Sequence, residues 1–212
     1  NVHSHELWLA PDGNLYGEHL WYEGDRTGRW GHRVWKRSPE GKVTDVIAPR
    51  AGFRDYYRDF SFVRAREGWM YWMVRQGSGI LLVRNRSGRP AETLADLGDV
   101  RPGWLSVSPS GDLLFAVGGI VYRMRGAARA APLHRNSLGQ VMGVWGDSAG
   151  NVYAALPERR KVVLIRSSGE IETVAESPSD WQPASGVVAP DGRLWLLEFN
   201  SANEQRVRVA PQ

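Results

Sequence analysis

The sequence predicts an all-β chain folded as a β-propeller of five four-stranded blades. Three observations predict it: a turn glycine that recurs at a nearly constant interval, similar turn chemistry around that glycine, and short apolar strands without a helical segment of useful length. The glycines are Gly13, Gly68, Gly111, Gly150 and Gly192, at spacings of 55, 43, 39 and 42 residues. A four-stranded blade needs about 40 to 45 residues.

Each repeat begins with a short apolar strand, a glycine turn and a second strand that contains an aromatic residue. In the turns at 11–13, 109–111 and 190–192, proline presets φ, Asp or Ser bonds the neighbouring backbone, and glycine takes positive φ. Third strands follow at 32–36, 80–83, 120–123 and 162–165. A second glycine turn, at Gly41, Gly88 or Gly169, leads to a fourth strand in three repeats.

The repeats divide one domain into blades at about 1–50, 51–97, 98–136, 137–178 and 179–212. The first repeat carries extra residues at 20–31, and insertions in such repeats collect on one face, which is often the binding face. The fifth has a third strand at 206–209 and no fourth. Either another strand closes the ring, or the parent protein is longer, with six blades as one option.

Composition excludes several classes of function. The formal net charge is +4, but the basic residues are scattered, and nucleic-acid binding needs a concentrated basic face. We therefore expect no nucleic-acid partner. Without cysteine there is no disulfide, thiol nucleophile or zinc-thiolate site. No window approaches the roughly 18 uninterrupted apolar residues of a membrane span.

One repeat resembles a known family. The segment 190–198, P-D-G-R-L-W-L-L-E, is echoed by P-D-G-N-L-Y-G-E at 11–18. It resembles the PDGxLWxTE repeat of virginiamycin B lyase-like propellers, which share a superfamily with NHL-repeat proteins and the SMP-30/gluconolactonase group. The resemblance implies a bacterial protein, periplasmic or secreted, with lactonase- or lyase-type activity on a small oxygen-rich molecule such as a saccharide derivative. It equally allows a noncatalytic NHL-type propeller that binds a protein or glycan.

A ring of polar side chains is predicted at one mouth of the propeller channel. In a propeller the first strand of each blade lines the channel, and ten positions before each turn glycine the residue is polar. These residues are His3, Arg58, Arg101, Gln140 and Gln182. Polar groups that converge at one height suit a ligand pocket. Asp59, beside Arg58, either helps to hold a ligand or forms an internal ion pair.

Histidines and carboxylates concentrate in blades one and five, which are neighbours if five blades close the ring. We predict His19, Glu18 and Glu198 as catalytic groups, and His3, His5 and Glu6 as ligands of a divalent cation, Ca²⁺ or Mg²⁺. Such groups suit Lewis-acid or general acid/base chemistry. The alternative is that Glu18 and Glu198 only accept hydrogen bonds from neighbouring loops. The gluconolactonase group's Glu, Asn, Asn and Asp ligands do not align, and His5 occupies the first Glu position.

Two tryptophans complete the candidate ligand-binding residues. Trp104 and Trp181 lie at the entrances to first strands, where an exposed indole could stack on a sugar. Core packing is the alternative for both. Convergence of His5, Glu18, His19 and Glu198 around one pocket would favour an enzyme, and dispersal would favour a binding scaffold.

Overall fold

The structure is a computed structural model that describes residues 2–9, 13–22, 30–53, 62–65, 69–86, 90–100, 102–126 and 128–210. Within these ranges the chain forms nineteen β-strands in five antiparallel sheets and no α-helix. A single turn of 3-10 helix lies at Pro157–Arg159. Nowhere in the described ranges does a helix reach the length and apolar character needed to cross a membrane. The predicted all-β propeller architecture is confirmed.

The strands follow the predicted order of the blades. Blade one contains β1 (Val2–Leu9), β2 (Leu15–Tyr22), β3 (Trp30–Arg37) and β4 (Val43–Phe53). Blade two contains β5 (Phe62–Arg64), β6 (Trp69–Gln76), β7 (Gly79–Arg86) and β8 (Glu92–Asp96). Blade three contains β9 (Pro102–Val107), β10 (Leu113–Val117), β11 (Ile120–Met124) and β12 (Ala131–Pro132).

Blade four contains β13 (Gly143–Gly146), β14 (Val152–Leu156), β15 (Lys161–Ile165) and β16 (Ile171–Glu176). Blade five contains β17 (Trp181–Val188), β18 (Leu194–Asn200) and β19 (Gln205–Val209). Its sheet has three strands within the described residues, whereas the other four sheets each have four. The sequence predicts this shorter fifth sheet.

The repeated turn has the predicted chemistry. At Gly192, φ is 83°, and its N–H donates to the carbonyl of Ala189 at 2.9 Å. A carboxylate oxygen of Asp191 accepts from the N–H of Arg193 at 3.1 Å. The glycine therefore supplies the left-handed backbone, and the aspartate bonds the neighbouring backbone. The turn glycine of blade two, Gly68, lies outside the described residues.

Neighbouring blades pack sheet against sheet. The first strands β5, β9, β13 and β17 contact one another in that order. Three apolar clusters fill the space between blades two and three, three and four, and four and five. In the last of these, Trp145, Ala155 and Val162 of blade four pack against Leu196 and Ala210 of blade five. Burial of these apolar clusters between neighbouring sheets stabilises the packing of one blade on the next.

A backbone irregularity recurs near the start of first strands. The pairing of β1 with β2 shifts between Ser4 and Glu6, and that of β17 with β18 shifts between Pro183 and Ser185. The pairing of β9 with β10 shifts where Phe115 gives way to Val117. A bulge of this kind changes which residues of a strand share a face with the partner strand. The bulge therefore determines which of the predicted site residues lie on the same face of their sheet.

Candidate functional site between blades four and five

Glu198 lies at the centre of a buried polar cluster. Its side chain is fully buried, and on β18 it pairs with Pro183 of β17 and Arg206 of β19. The Oγ of Ser177 donates to Oε1 at 2.7 Å, and Nε of Arg206 donates to Oε2 at 2.7 Å. Arg208 adds its Nη2, which donates to Oε1 at 2.8 Å. Both oxygens of the carboxylate are thus occupied by donors from the protein.

These donors keep Glu198 ionised. Burial opposes the charged form, but hydrogen bonds from Arg208, Ser177 and Arg206 outweigh it and lower the pKa of Glu198 to about 2. A group with this pKa does not exchange protons near neutral pH, so the arrangement suits an acceptor that fixes two arginines. The alternative that the sequence left open, a hydrogen-bond acceptor for neighbouring segments, describes the observed contacts of Glu198.

Arg206 joins the buried carboxylate to an aromatic ring. Its guanidinium carbon lies 4.0 Å from the ring centroid of Trp181, within the range of a cation–π interaction. The side chain of Arg206 is 32% exposed, and Trp181 is half-buried. Its Nη2 atom is buried and has no hydrogen-bond partner within the part of the chain that the structure describes. The guanidinium of Arg206 is therefore fixed by Glu198 and lies over a partly exposed indole.

Blade four supplies one wall of this cluster. The N–H of Ser177, which follows β16, donates to the carbonyl of Arg160 at 2.8 Å. The Nη1 of Arg160 donates to the carbonyl of Ser179 at 2.9 Å, and the Nη2 of Arg208 donates to the carbonyl of Glu176 at 3.0 Å. The cluster therefore lies at the junction of the two blades and depends on both.

Two glutamines of the predicted ring do not join this cluster. Gln182 pairs with Phe199, whereas its neighbour Trp181 pairs with Asn200. Because side chains alternate between faces along a strand, Gln182 belongs to the face opposite Trp181. Gln140 is exposed and precedes β13. Arg58, Asp59 and Arg101 lie outside the described residues, and the structure describes only the backbone of Trp104. The ring as a whole stays a prediction.

In blade one the register separates Glu18 from His19. Glu18 pairs with Glu6, and His19 pairs with Ser4 on the other side of the bulge at His5. Counted from the bulge, His19 occupies the position of Glu198, and Glu18 occupies that of Leu197. The two predicted catalytic glutamates thus belong to opposite faces of their sheets. The imidazole of His19 contacts the Trp35 ring edge-on, with centroids 6.3 Å apart.

Glu198 offers no free ligand for a divalent cation. Both oxygens of Glu198 are taken by arginine and serine donors, so it is not a free metal ligand. Glu6 lies directly opposite Glu18, His3 opposite Leu20, and carboxylate oxygens are the ligands that Ca²⁺ and Mg²⁺ prefer. For His3, His5, Glu6 and Glu18 the structure describes the backbone alone, and the described side chains contain no group of three or more candidate ligands. The cation stays a prediction.

Arg206, Arg208 and Ser177 are the functional candidates that sequence reasoning missed. A signal for the arginines exists: the hairpin turn at 201–204 places the Arg-Val-Arg-Val run of β19 beside β18. Pairing across that turn puts Arg206 opposite Glu198. Ser177 carries no comparable signal, because it comes from the preceding blade and meets Glu198 only through tertiary packing.

Comparison with known proteins identifies the fold. No family model matches the chain, and no curated protein matches its sequence. A catalytically inactive virginiamycin B lyase from Staphylococcus aureus, solved with quinupristin, matches 100% of this chain and 75% of its own, with 11% identity and a TM-score of 0.58. A streptogramin B lyase matches 97% of this chain and 68% of its own, with 14% identity and a TM-score of 0.61.

A puromycin hydrolase matches 99% of this chain and 38% of its own, with 14% identity and a TM-score of 0.63. These proteins are propellers, and the likeness to the lyase and gluconolactonase superfamily that the sequence indicated is supported at the level of fold. At such low identity the comparisons carry no information about what this chain binds or converts.

Proposed function

We propose that this chain is a ligand-binding propeller that holds a small, oxygen-rich anion, such as an acidic saccharide derivative, at the junction of blades four and five. Arg206 and Trp181 are the contact residues. The observation that carries the proposal is the guanidinium of Arg206, held by Glu198 and lying 4.0 Å above a partly exposed indole.

The charges of the cluster favour an anion. One carboxylate, Glu198, faces two guanidinium groups, Arg206 and Arg208, so the cluster retains one unit of positive charge. Guanidinium groups donate charge-assisted hydrogen bonds to carboxylates, and an arginine already fixed by its neighbours loses less entropy when it does so. Trp181 offers a flat apolar surface on which a sugar ring can stack.

Calorimetric titration with D-glucuronate and D-glucose tests this proposal. We expect glucuronate to bind more tightly, and Arg206→Gln to weaken its binding at least tenfold, which is about 1.4 kcal/mol. Arg193→Gln is the matched control, because Arg193 also pairs with a carboxylate, Asp191, and lies 5.5 Å from the ring of Trp195 on the same blade. Equal affinity for the two sugars, or an equal effect of the two substitutions, would contradict the proposal.

A metal-assisted enzyme of the lactonase or lyase type is the second candidate. The observation that favours it is the pairing of Glu6 with Glu18 across β1 and β2, with His3 on the same strand as Glu6. Titration with Ca²⁺, Mg²⁺ and Mn²⁺, followed by thermal unfolding with and without a chelator, tests this candidate. If no cation binds and the chelator leaves the melting temperature unchanged, the metal-dependent version is wrong.

The noncatalytic alternative, in which the loop face binds a protein or glycan, is compatible with Glu198 acting as a structural acceptor. We propose a periplasmic or secreted location, which the resemblance to exported propellers supports. Fractionation of cells that produce the protein from its own gene tests it, and recovery in the cytoplasmic fraction alone would overturn it.

A further inference from the structure

The turn between β14 and β15 of blade four contains an arginine in a backbone conformation that favours glycine. Arg160 follows the single 3-10 turn at Pro157–Arg159 and has a φ of 53°, in the left-handed region. In the equivalent turns, blade two has Gly77 at 60° and blade three has Gly118 at 57°. A long side chain at positive φ is strained, and strain of this kind concentrates at functional sites. The conformation of Arg160 therefore points to a role for its side chain.

Arg160 is attached to the segment that carries the aromatic ring of the candidate site. Its Nη1 donates to the carbonyl of Ser179 at 2.9 Å. The N–H of Trp181 donates to the carbonyl of Pro178 at 2.9 Å, which closes a four-residue turn over 178–181. The guanidinium of Arg160 is therefore held at the turn that ends in Trp181.

Arg206 lies at the other end of this turn. Its guanidinium carbon is 4.0 Å from the ring centroid of Trp181. The first and last Cα atoms of such a turn are less than about 7 Å apart. Both guanidinium groups are thus anchored to one short turn, Arg160 through the carbonyl of Ser179 and Arg206 through the indole. A ligand that contacts this turn has two guanidinium groups near it.

The guanidinium of Arg160 is available to a ligand. A guanidinium has five N–H donors, and Arg160 is exposed and forms no ion pair within the part of the chain that the structure describes. Arg208, by contrast, uses its Nε and Nη2 on Glu198 and on the carbonyl of Glu176. Asp180 is exposed in the same turn and lowers the positive charge there, but an ionised carboxylate donates no hydrogen bond. Arg160 is therefore the cation beside this turn that has donors left for a second anionic group.

We propose that Arg160 is a specificity-determining residue that binds a second acidic group of the ligand, so that the ligand is a sugar derivative with an acidic group at each end. This role rests on the proposed function, in which Arg206 binds the first acidic group over Trp181. Each acidic group receives charge-assisted hydrogen bonds from a guanidinium that the protein already orients, Arg206 through Glu198 and Arg160 through the carbonyl of Ser179. A ligand with one acidic group gains only one of these contacts.

Calorimetric titration with D-glucuronate and α-D-glucuronate 1-phosphate tests this role, because the second compound adds an acidic group at the opposite end of the same ring. We expect the unsubstituted protein to bind the 1-phosphate about tenfold more tightly or better. Arg160→Asn removes the guanidinium and places a residue that tolerates positive φ, and we expect it to reduce this ratio to about threefold or less. A purely structural loss would weaken both ligands alike and leave the ratio unchanged.

Arg159→Asn is the matched control. Arg159 precedes Arg160 in the same turn, is also exposed, and forms no ion pair within the described ranges. Its Nη2 lies beside Gly139, in the segment that leads into β13, and so on the side of blade three. We expect this variant to keep the ratio of the unsubstituted protein. If Arg160→Asn folds poorly, Arg160→Gly gives the same comparison, because glycine is unstrained at positive φ.

The results distinguish failure of this role from failure of the proposed function. If the unsubstituted protein does not discriminate between the two compounds, or if Arg160→Asn leaves the ratio intact, Arg160 does not bind a second acidic group; the proposed function stands where Arg206→Gln still weakens glucuronate binding. An equal fall of the ratio in Arg159→Asn also overturns the role, because the preference would then reflect general positive charge. If neither compound binds, or if Arg206→Gln leaves the affinity for glucuronate unchanged, the proposed function is wrong and the role of Arg160 falls with it.

Discussion

At the scale of single residues, Glu198 is a carboxylate with no solvent exposure. A fully buried carboxylate is tolerated because three side chains donate to it, and two of them are cationic. Removing one member of a buried ion pair leaves the other charge uncompensated, which costs more than the pair contributes. Glu198 therefore fixes the guanidinium of Arg206 and links β18 to β19.

We expect Glu198→Gln to lower the free energy of unfolding by about 3 kcal/mol, because two guanidinium groups lose their counter-charge. Glu172→Gln is the control, since its ion pair with Arg166 is half-exposed and such pairs contribute about 0 to 1 kcal/mol. Urea denaturation followed by tryptophan fluorescence measures both. A similar small effect for the two variants would show that the buried cluster adds little stability.

At the scale of elements, blade three completes its outer strand with a side chain. Strand β12 has two residues, and the buried His134 that follows it accepts the N–H of Val121 on Nε2 at 2.9 Å. Its Nδ1 lies 2.8 Å from the carbonyl of Asn136, which requires the proton on Nδ1. The imidazole thus replaces a backbone acceptor that a longer strand would provide.

Replacing His134 by Leu leaves the buried N–H of Val121 without an acceptor, so we expect a loss of about 1 to 3 kcal/mol. Gln can present an amide oxygen, and His134→Gln is expected to recover part of the loss. Chemical denaturation gives the stabilities, and amide hydrogen exchange at Val121 reports the bond directly. Unchanged exchange in His134→Leu would show that the imidazole does not close this strand.

First strands of neighbouring blades approach closely at Gly143. A Cβ on this residue would overlap the carbonyl oxygen of Ala184, a backbone atom of β17. We expect Gly143→Ala to cost about 1 to 3 kcal/mol through overpacking, more than Gly150→Ala, whose Cβ meets open space and bears only the strain of positive φ. Thermal unfolding compares the two. The reverse order would mean that β17 moves away easily.

At the scale of the whole molecule, the buried cluster makes the free energy of unfolding depend on pH through the junction of blades four and five. The pKa of Glu198 falls from an ordinary value of 4.5 to about 2 on folding. Its contribution, about 3 kcal/mol, is fully present above pH 4.5 and is lost as the pH falls toward 2. We expect the stability of Glu198→Gln to depend less on pH in that range. Parallel pH profiles of unfolding for the two proteins would refute this.

The sequence predicts the fold of the chain better than the contacts of the candidate site. Turn glycines and strand periodicity are local signals, and they give the blades, their order and the three-stranded fifth sheet. Glu198 and Trp181 are among the residues that the sequence predicts for the site, but the contacts of Glu198 depend on cross-strand register and on a serine from another blade. The bulge beside Pro183 shifts the register by one residue, so counting from the turn glycine places Trp181 and Gln182 each on the wrong face of the sheet.

Arg206 and Arg208 lie on β19, after the other residues of the cluster in the sequence, so the cluster is completed late in synthesis. The ribosome adds Ser177, Trp181 and Glu198 before either arginine. A nascent chain that ends at the 201–204 turn therefore contains the Glu198 carboxylate without the two arginines that pair with it. Blades two to four contain none of β19, whereas the proposed contact of Arg206 with a ligand requires β19 to have paired with β18. Cleavage in the 201–204 turn with loss of β19 would therefore remove both arginines from Glu198 and, with them, the proposed ligand contact.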